Sequence, residues 1–409
     1  MRPRKGDDGR WHAWVTVGTK PNGRPDQRHV NRETKEDADD EIDRLLDQRR
    51  TASVTTAGRK PTVEQWMTTY LDTIAPRRCD PGTVYDYRSK CRNWLYPVVG
   101  KVRVDRLTAD QLDGVYLAME RAGKAGSSQL KLHRIVSRAL EIALRRKVVP
   151  RNVAKLLDAP TSRPPEIESL TVDEALAILA ATDGRRNAAR WSVGLALGLR
   201  QGEAIGLRWQ HVDLADGYIK VWWQLRRRIW EHGCGGSCGR KRGGNCPDRT
   251  MQVRQGETLL DGGLILKEPK GKSKRVIPLP AELVEALKRH REIQDMERAM
   301  AGGAWRDLGL VFTQLDGGPV DPGVDYDEWK ALLAAAGVRD ARVHDARHTA
   351  ATLMLAQGVK IEVVQEVLGH SDIRTTRGYS HVASALARDA TQRMGSALLR
   401  RPGTPGRTP

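Results

Sequence analysis

The pattern of apolar and polar positions changes character several times along the chain. Residues 1–32 read as short strands with turns: Trp11-His-Ala-Trp-Val-Thr-Val17 is β-rich, and Lys20-Pro-Asn-Gly-Arg24 is a turn signal. Residues 33–48 switch to a helical pattern, and 51–60 read as a linker. Residues 61–158 are helical throughout, with capping-box patterns at Thr62-x-x-Gln65, Thr83-x-x-Asp86 and Thr108-x-x-Gln111, each ahead of an amphipathic run. Prolines from Pro160 to Pro165 mark a second linker, placed at 159–168. Beyond Thr171-x-x-Glu174 the pattern predicts helices at 173–182 and 188–199 and strands at 217–225 and 263–280. Four more helices are predicted at about 281–300, 325–336, 346–356 and 361–368. The last 14 residues, 396–409, read as a disordered tail. The fold class is multidomain, mainly α with small β-sheets.

Charge narrows what such a chain meets. Its 409 residues are too many for one ordinary core. With 69 Lys+Arg against 51 Asp+Glu the formal charge is +18, which points to a polyanionic partner. No apolar stretch is long enough to span a bilayer, and the N-terminus carries no secretion signal. Five cysteines without a disulfide pattern fit a reducing cytoplasm. The basic residues are patterned as well. Residues 1–32 carry eight Lys/Arg against three Asp, whereas 33–48 carry eight acidic residues against two basic. In the helix around 129–147, Lys131, Arg134, Arg138 and Arg145 fall in a roughly 60° arc opposite an apolar face. That stripe suits either a phosphate backbone or plain solvent.

A scattered polar set carries the candidate chemistry. Arg200 sits in Gly198-Leu-Arg-Gln-Gly-Glu203; His344, Arg347 and His348 sit in one short run; His370 follows Leu368-Gly369; and Tyr379 lies nine residues further on. Two arginines can neutralise the oxygens of a crowded phosphorus centre, histidines can hold or move protons, and a tyrosine hydroxyl can form a covalent phosphoryl-enzyme bond. This is a strand-breaking site for nucleic acid that needs no metal. A second cluster stands in a basic insert at 226–255, where His232, Cys234, Cys238 and Cys246 could close a structural zinc site. The cysteine spacing is not among the strongest zinc patterns, so reduced cysteines in a Gly-rich loop remain the other reading.

The order and spacing of these motifs resemble the tyrosine recombinases, the phage-type integrases. The first motif stands as Arg200-Gln-Gly-Glu203-Ala-Ile-Gly-Leu207-Arg-Trp209 with Val212-Asp-Leu214, the second as His344-Asp-Ala-Arg347-His348, with Ala346 where the family has leucine. The third is Leu368-Gly-His370, Thr375-Thr376 and Tyr379-Ser-His381, so that the resemblance spans roughly residues 60–395. It implies Tyr379 as nucleophile, Arg200 and Arg347 as phosphate clamps, His344 as general acid/base and His370 as a phosphate hydrogen-bond donor. Glu203 and His348 would play supporting parts. A hairpin lysine would protonate the leaving 5′ oxygen; Lys270 takes that place, with Lys267, Lys272 and Lys274 close by and Gly271 where the family often has threonine.

The same resemblance implies three domains. An N-terminal three-stranded sheet with one helix (1–50) would bind arm sites, a helical SAM-like domain (61–158) the core site, and a mixed α+β domain (169–395) would do the catalysis. The implied partners are duplex DNA at core and arm sites, a homotetramer on synapsed DNA with an exchanged helix at 383–399, and a directionality factor or host DNA-bending protein. The implied place is the bacterial nucleoid. The insert is similar to those of actinobacterial phage and integrative-element integrases. Relaxation of supercoils by a type IB topoisomerase and chromosome maintenance are the alternative activities.

Overall fold

The computed structural model describes residues 2–19, 24–50, 60–162, 168–269 and 274–369. The chain divides into two compact units, residues 1–165 and 166–409.

The first unit opens with an antiparallel sheet, β1 (Arg4–Lys5), β2 (Trp11–Thr19) and β3 (Pro25–Arg32), in that spatial order. Alternation along β2 turns Ala13, Val15 and Val17 inward. They meet Val30 of β3 and Ala38 and Ile42, four residues apart on α1 (Lys35–Arg50), in a small core of their own. Residues 20–23, within the predicted turn, lie outside the described residues, as do 51–59 of the first linker.

Helices α2 (Val63–Thr69), α3 (Pro81–Lys90), α4 (Tyr96–Val99), α5 (Ala109–Arg121) and α6 (Gly126–Arg145) follow. Capping boxes at Thr62 and Thr108 start α2 and α5. Thr83 caps nothing: α3 begins two residues earlier, where the Asp80 side chain accepts the Gly82 amide and Pro81, which has no N–H to satisfy, takes the first helical position. The apolar side of α6 (Leu132, Ile135, Val136, Ala139) is buried against Trp66, Met67, Leu95 and Leu112, and the Trp66 indole donates to the Ala139 carbonyl at 3.1 Å.

In the second unit, α7 (Val172–Ala180) starts at a Thr171 capping box, and α8 (Ala188–Leu197) and α9 (Gln201–Ile205) lead into short antiparallel strands. The predicted strand 217–225 is two strands in two sheets, and so is 263–280. β5 (Tyr218–Val221) pairs with β4 (Val212–Asp213) and with β11 (Arg275–Pro278); β6 (Gln224–Arg227) pairs with β10 (Leu264–Lys267), which also pairs with β9 (Thr258–Leu259). The break falls at Trp222, which is exposed, between two strands that bury their side chains in different cores. A small hairpin of β7 (Glu231–His232) and β8 (Arg249–Thr250) carries the insert. Helices α10 (Ala281–Ala301), α11 (Pro322–Ala335), α12 (Val343–Ala356) and α13 (Ile361–Leu368) complete the described part. The tail 396–409 and the segment 383–399 lie outside it, as does 163–167 in the second linker. No helix of the described residues is long and apolar enough to cross a membrane.

Candidate active site

Three of the candidate residues share one helix. His344, Arg347 and His348 stand at i, i+3 and i+4 of α12, so the helical repeat places them on one face at its first turns. The His344 and His348 rings meet edge to face with centroids 4.7 Å apart. Asp345 closes the helix start by accepting the Arg342 amide at 2.7 Å, which leaves the neighbouring His344 free to face the cleft.

Arg200 arrives from the other side. Gly198 ends α8 in the left-handed conformation (φ 63°), and this reversal sends Arg200 to the cap of α9. Gly202 lets α9 lie against β6, since a Cβ there would sit 2.6 Å from the Leu225 carbonyl. Arg200 donates from Nη1 to Glu203 Oε1 at 2.7 Å and from Nη2 to the Gly369 carbonyl at 3.1 Å, while its backbone amide donates to Glu203 Oε2 at 3.1 Å. Arg347, 2% exposed, donates to the Gly198 and Leu368 carbonyls at 2.7 and 2.6 Å. Arg200 keeps 37% of its side chain exposed. It lines, with His344, Glu203, Gln224, Arg226 and Arg227, a cleft of about 670 Å³. The guanidiniums of Arg200, Arg226 and Arg227 and the His344 imidazole thus line one opening, a place for an anion.

The electrostatics fit that opening. Partial desolvation by the cleft walls, then the charges of His348, Arg347 and Arg200, draw the His344 pKa down to about 4, although its ring still reaches solvent at the mouth. Burial lowers His348 too, against the pull of Asp345. In Glu203, burial favours the neutral acid, but Arg275 and then Arg200 outweigh it and keep the carboxyl below its ordinary range.

Lys270, His370 and Tyr379 lie outside the described residues, as does Lys272. Of the other hairpin lysines, Lys267 lies 3.5 Å from Glu257 and Lys274 2.6 Å from Glu268. Two partners escaped the sequence reading. Arg275 donates to Glu203 Oε2 at 2.9 Å, and Arg190 forms a buried two-pronged pair with Asp325 at 2.9 and 3.0 Å, which also accepts from Gln201 at 2.9 Å. A signal for Arg275 does exist: alternation along β11 puts it on the inward face with Ile277.

The cysteine cluster assembles. The donor atoms of His232, Cys234, Cys238 and Cys246 lie within 4.8 Å of one another, with His232 Nδ1 3.9 Å from Cys234 Sγ and 3.3 Å from Cys238 Sγ. Tetrahedral Zn–S and Zn–N bonds of about 2.3 and 2.0 Å would space such donors roughly 3.5–3.8 Å apart. Amides of Cys238 and Gly236 turned toward the Cys234 sulfur, with the neighbouring thiols, draw its pKa to about 5. The donor set and its spacing fit a soft tetrahedral cation.

Along α6 the basic stripe is unequal. Lys131 is tied to Asp86 at 2.7 Å, and Arg145 lies 3.9 Å from Glu141. Arg134 and Arg138 have no ion-pair partner among the described residues and border, with Arg78, Tyr70 and Tyr87, a cavity of about 170 Å³.

Comparison with known proteins agrees with these motifs. The model of the Phage integrase family matches residues 248–385. An integrase of Saccharopolyspora erythraea is 34% identical over 96% of this chain and 95% of its own length, and an integrase of Streptomyces ambofaciens is 27% identical over 90% and 88%. Among solved structures, the Tn1549 transposon integrase in complex with transposon right end DNA superposes with a TM-score of 0.63 at 17% identity, covering 81% of this chain and 99% of that one. A lambda integrase dimer bound to a core site gives 0.55 at 16%, covering 92% and 94%. Motif order, cleft geometry and full-length kinship together make this chain a member of the phage integrase family, a tyrosine-type site-specific DNA recombinase.

Proposed function

We propose that this recombinase cuts and rejoins duplex DNA through Tyr379, with Arg200, Lys270, His344, Arg347 and His370 as its catalytic partners. The observation that carries the reading is the cleft in which the half-exposed Arg200 guanidinium and the His344 ring face one opening, with Arg347 locked behind them. The Tyr379 hydroxyl attacks phosphorus, the bond to the 5′ oxygen breaks, and a 3′-phosphotyrosyl link and a free 5′ hydroxyl result. His344, neutral near pH 7 in the protein alone, accepts the tyrosine proton, and an incoming phosphate raises its pKa toward the working range. Lys270 gives the proton to the leaving oxygen; the ion pairs of Lys267 and Lys274 favour it over those two. Arg200 and Arg347 stabilise the charge of the crowded phosphorus, and His370 donates to a phosphate oxygen. Attack by the 5′ hydroxyl of a second strand releases the tyrosine, so neither ATP nor a catalytic metal enters the balance.

Residues 1–50 would hold arm sites and 61–158 the core site, with Arg134 and Arg138, which have no ion-pair partner among the described residues, on the phosphates. A tetramer on two synapsed duplexes is the working assembly, assisted by a directionality factor or a DNA-bending protein. The His232, Cys234, Cys238 and Cys246 cluster holds a structural zinc that closes the basic insert. The test is Tyr379→Phe on a nicked duplex taken from the DNA flanking the gene. The variant should bind this duplex as the wild type does and form no denaturant-stable protein–DNA adduct; an adduct that persists overturns the assignment.

A further inference from the structure

Arg275 belongs to none of the motifs that supply the reacting groups, yet it touches two of them. It opens β11, is 7% exposed, and donates from Nη2 to Glu203 Oε2 at 2.9 Å and from Nε to the Val367 carbonyl at 2.6 Å. Glu203, 2% exposed, uses its other oxygen to accept from Arg200 Nη1 at 2.7 Å. A Cβ on Gly369 would lie 2.9 Å from Arg275 Nη1, so the residue preceding His370 rests against this guanidinium. Lys270 stands five residues before Arg275 in the chain.

The charges explain why a second arginine belongs here. Arg200 and Glu203 alone would cancel, and a buried carboxylate beside an anionic phosphate opposes the charge that develops in the transition state. Arg275 answers the carboxylate from the protein side, where it cannot reach the cleft as Arg200 does. The three groups then carry a net positive charge that only Arg200 can present to a ligand.

We propose that Arg275 is a positioning residue of the recombination site. By neutralising Glu203 it leaves the charge of Arg200 for the scissile phosphate, and by holding Val367 it fixes the segment that leads to His370. The proposal rests on the reading of Arg200 as a phosphate ligand.

A double-variant cycle in single-turnover adduct formation, on the nicked duplex described above, tests it. Arg275→Gln should slow adduct formation about 100-fold and change affinity for the duplex by less than about threefold, since the interaction matters most as charge develops. Arg275→Lys keeps the charge but not the fork, and should lose roughly tenfold. Glu203→Gln placed in the Arg275→Gln chain should recover at least about tenfold of the rate, because the uncompensated carboxylate is gone. A merely structural arginine would give losses that multiply in the double variant, and that result overturns the proposal, as does an Arg275→Gln rate within about threefold of wild type. If Arg275→Gln alone does not fold, Arg275→Met, which also removes the charge, carries the same comparison with and without Glu203→Gln. An adduct surviving in Tyr379→Phe would instead sink the underlying reading; with that variant silent and the cycle multiplicative, only the role of Arg275 fails.

Discussion

Gly198→Ala isolates the joint between Arg200 and Arg347, the two arginines of the proposed clamp. Gly198 holds φ 63°, and a Cβ there would lie 2.4 Å from Leu368 Cδ2 and 3.1 Å from the Ala350 Cβ. Both neighbours are buried, on α13 and α12, so neither can withdraw into solvent. The left-handed conformation costs an alanine about 1 kcal/mol relative to glycine. Forcing a methyl group into a filled core adds roughly 1–3 kcal/mol, so the whole change should destabilise the second unit by roughly 2–4 kcal/mol. Gly184 supplies the control, with φ 72° and no atom within 4 Å of its virtual Cβ. Gly184→Ala should therefore show the conformational cost alone, about 1 kcal/mol. In thermal unfolding of the full chain, at roughly 2–4 °C per kcal/mol for a unit of this size, the two variants should separate by several degrees. Urea unfolding followed by tryptophan fluorescence gives the same comparison as midpoints. Because the Gly198 carbonyl accepts Arg347 Nη1, DNA cleavage at a temperature where the variant is still folded should fall further than its stability suggests. Equal losses in Gly198→Ala and Gly184→Ala would refute the packing argument outright.

Asp325→Asn strands the buried Arg190 and removes an acceptor from Gln201 at the start of α9; a loss of about 3–5 kcal/mol is expected in urea unfolding, and one below about 1 kcal/mol would contradict it. Between about pH 4 and the ordinary imidazole value of about 6.5, His344 binds fewer protons folded than unfolded, so its contribution to stability is full above this window and falls as the pH drops through it. Melting temperature should decline from pH 7.5 to pH 5, and less steeply in His344→Gln/His348→Gln; an unchanged slope would count against the assignment. Metal analysis of the purified protein should find one zinc per chain, lost in Cys234→Ser/Cys238→Ser, and chelation should expose residues 230–250 to protease; a metal content well below stoichiometric, with protease resistance untouched by chelator, rejects the zinc.

What was legible in the sequence divides by physical cause. Capping boxes at Thr62, Thr108 and Thr171 are local, satisfied within four residues, and the chain forms them as read. Thr83 misled because Asp80 followed by proline is a stronger local start than a threonine three residues before an aspartate. The grouping of His344, Arg347 and His348 also follows from helical spacing alone. By contrast, Arg200 and Gly369 are 169 residues apart, and Arg275 and Glu203 are 72 apart, so no periodicity could announce either contact. Residue types that can meet a phosphate are few, which is why the proposed reacting groups stand out in a bare sequence. Residues that hold them in place are less constrained, since any buried donor of the right reach could answer a buried carboxylate. The one clue they leave is a charge where the pattern demands an apolar side chain. Arg275 leaves that clue: an arginine one step before the Val-Ile-Pro run, on the same face as Ile277, must be paired within the core or disrupt it. An inward-facing charge in a short strand is thus itself a statement that a counter-charge lies across the fold, and here the counter-charge is Glu203, three residues after Arg200.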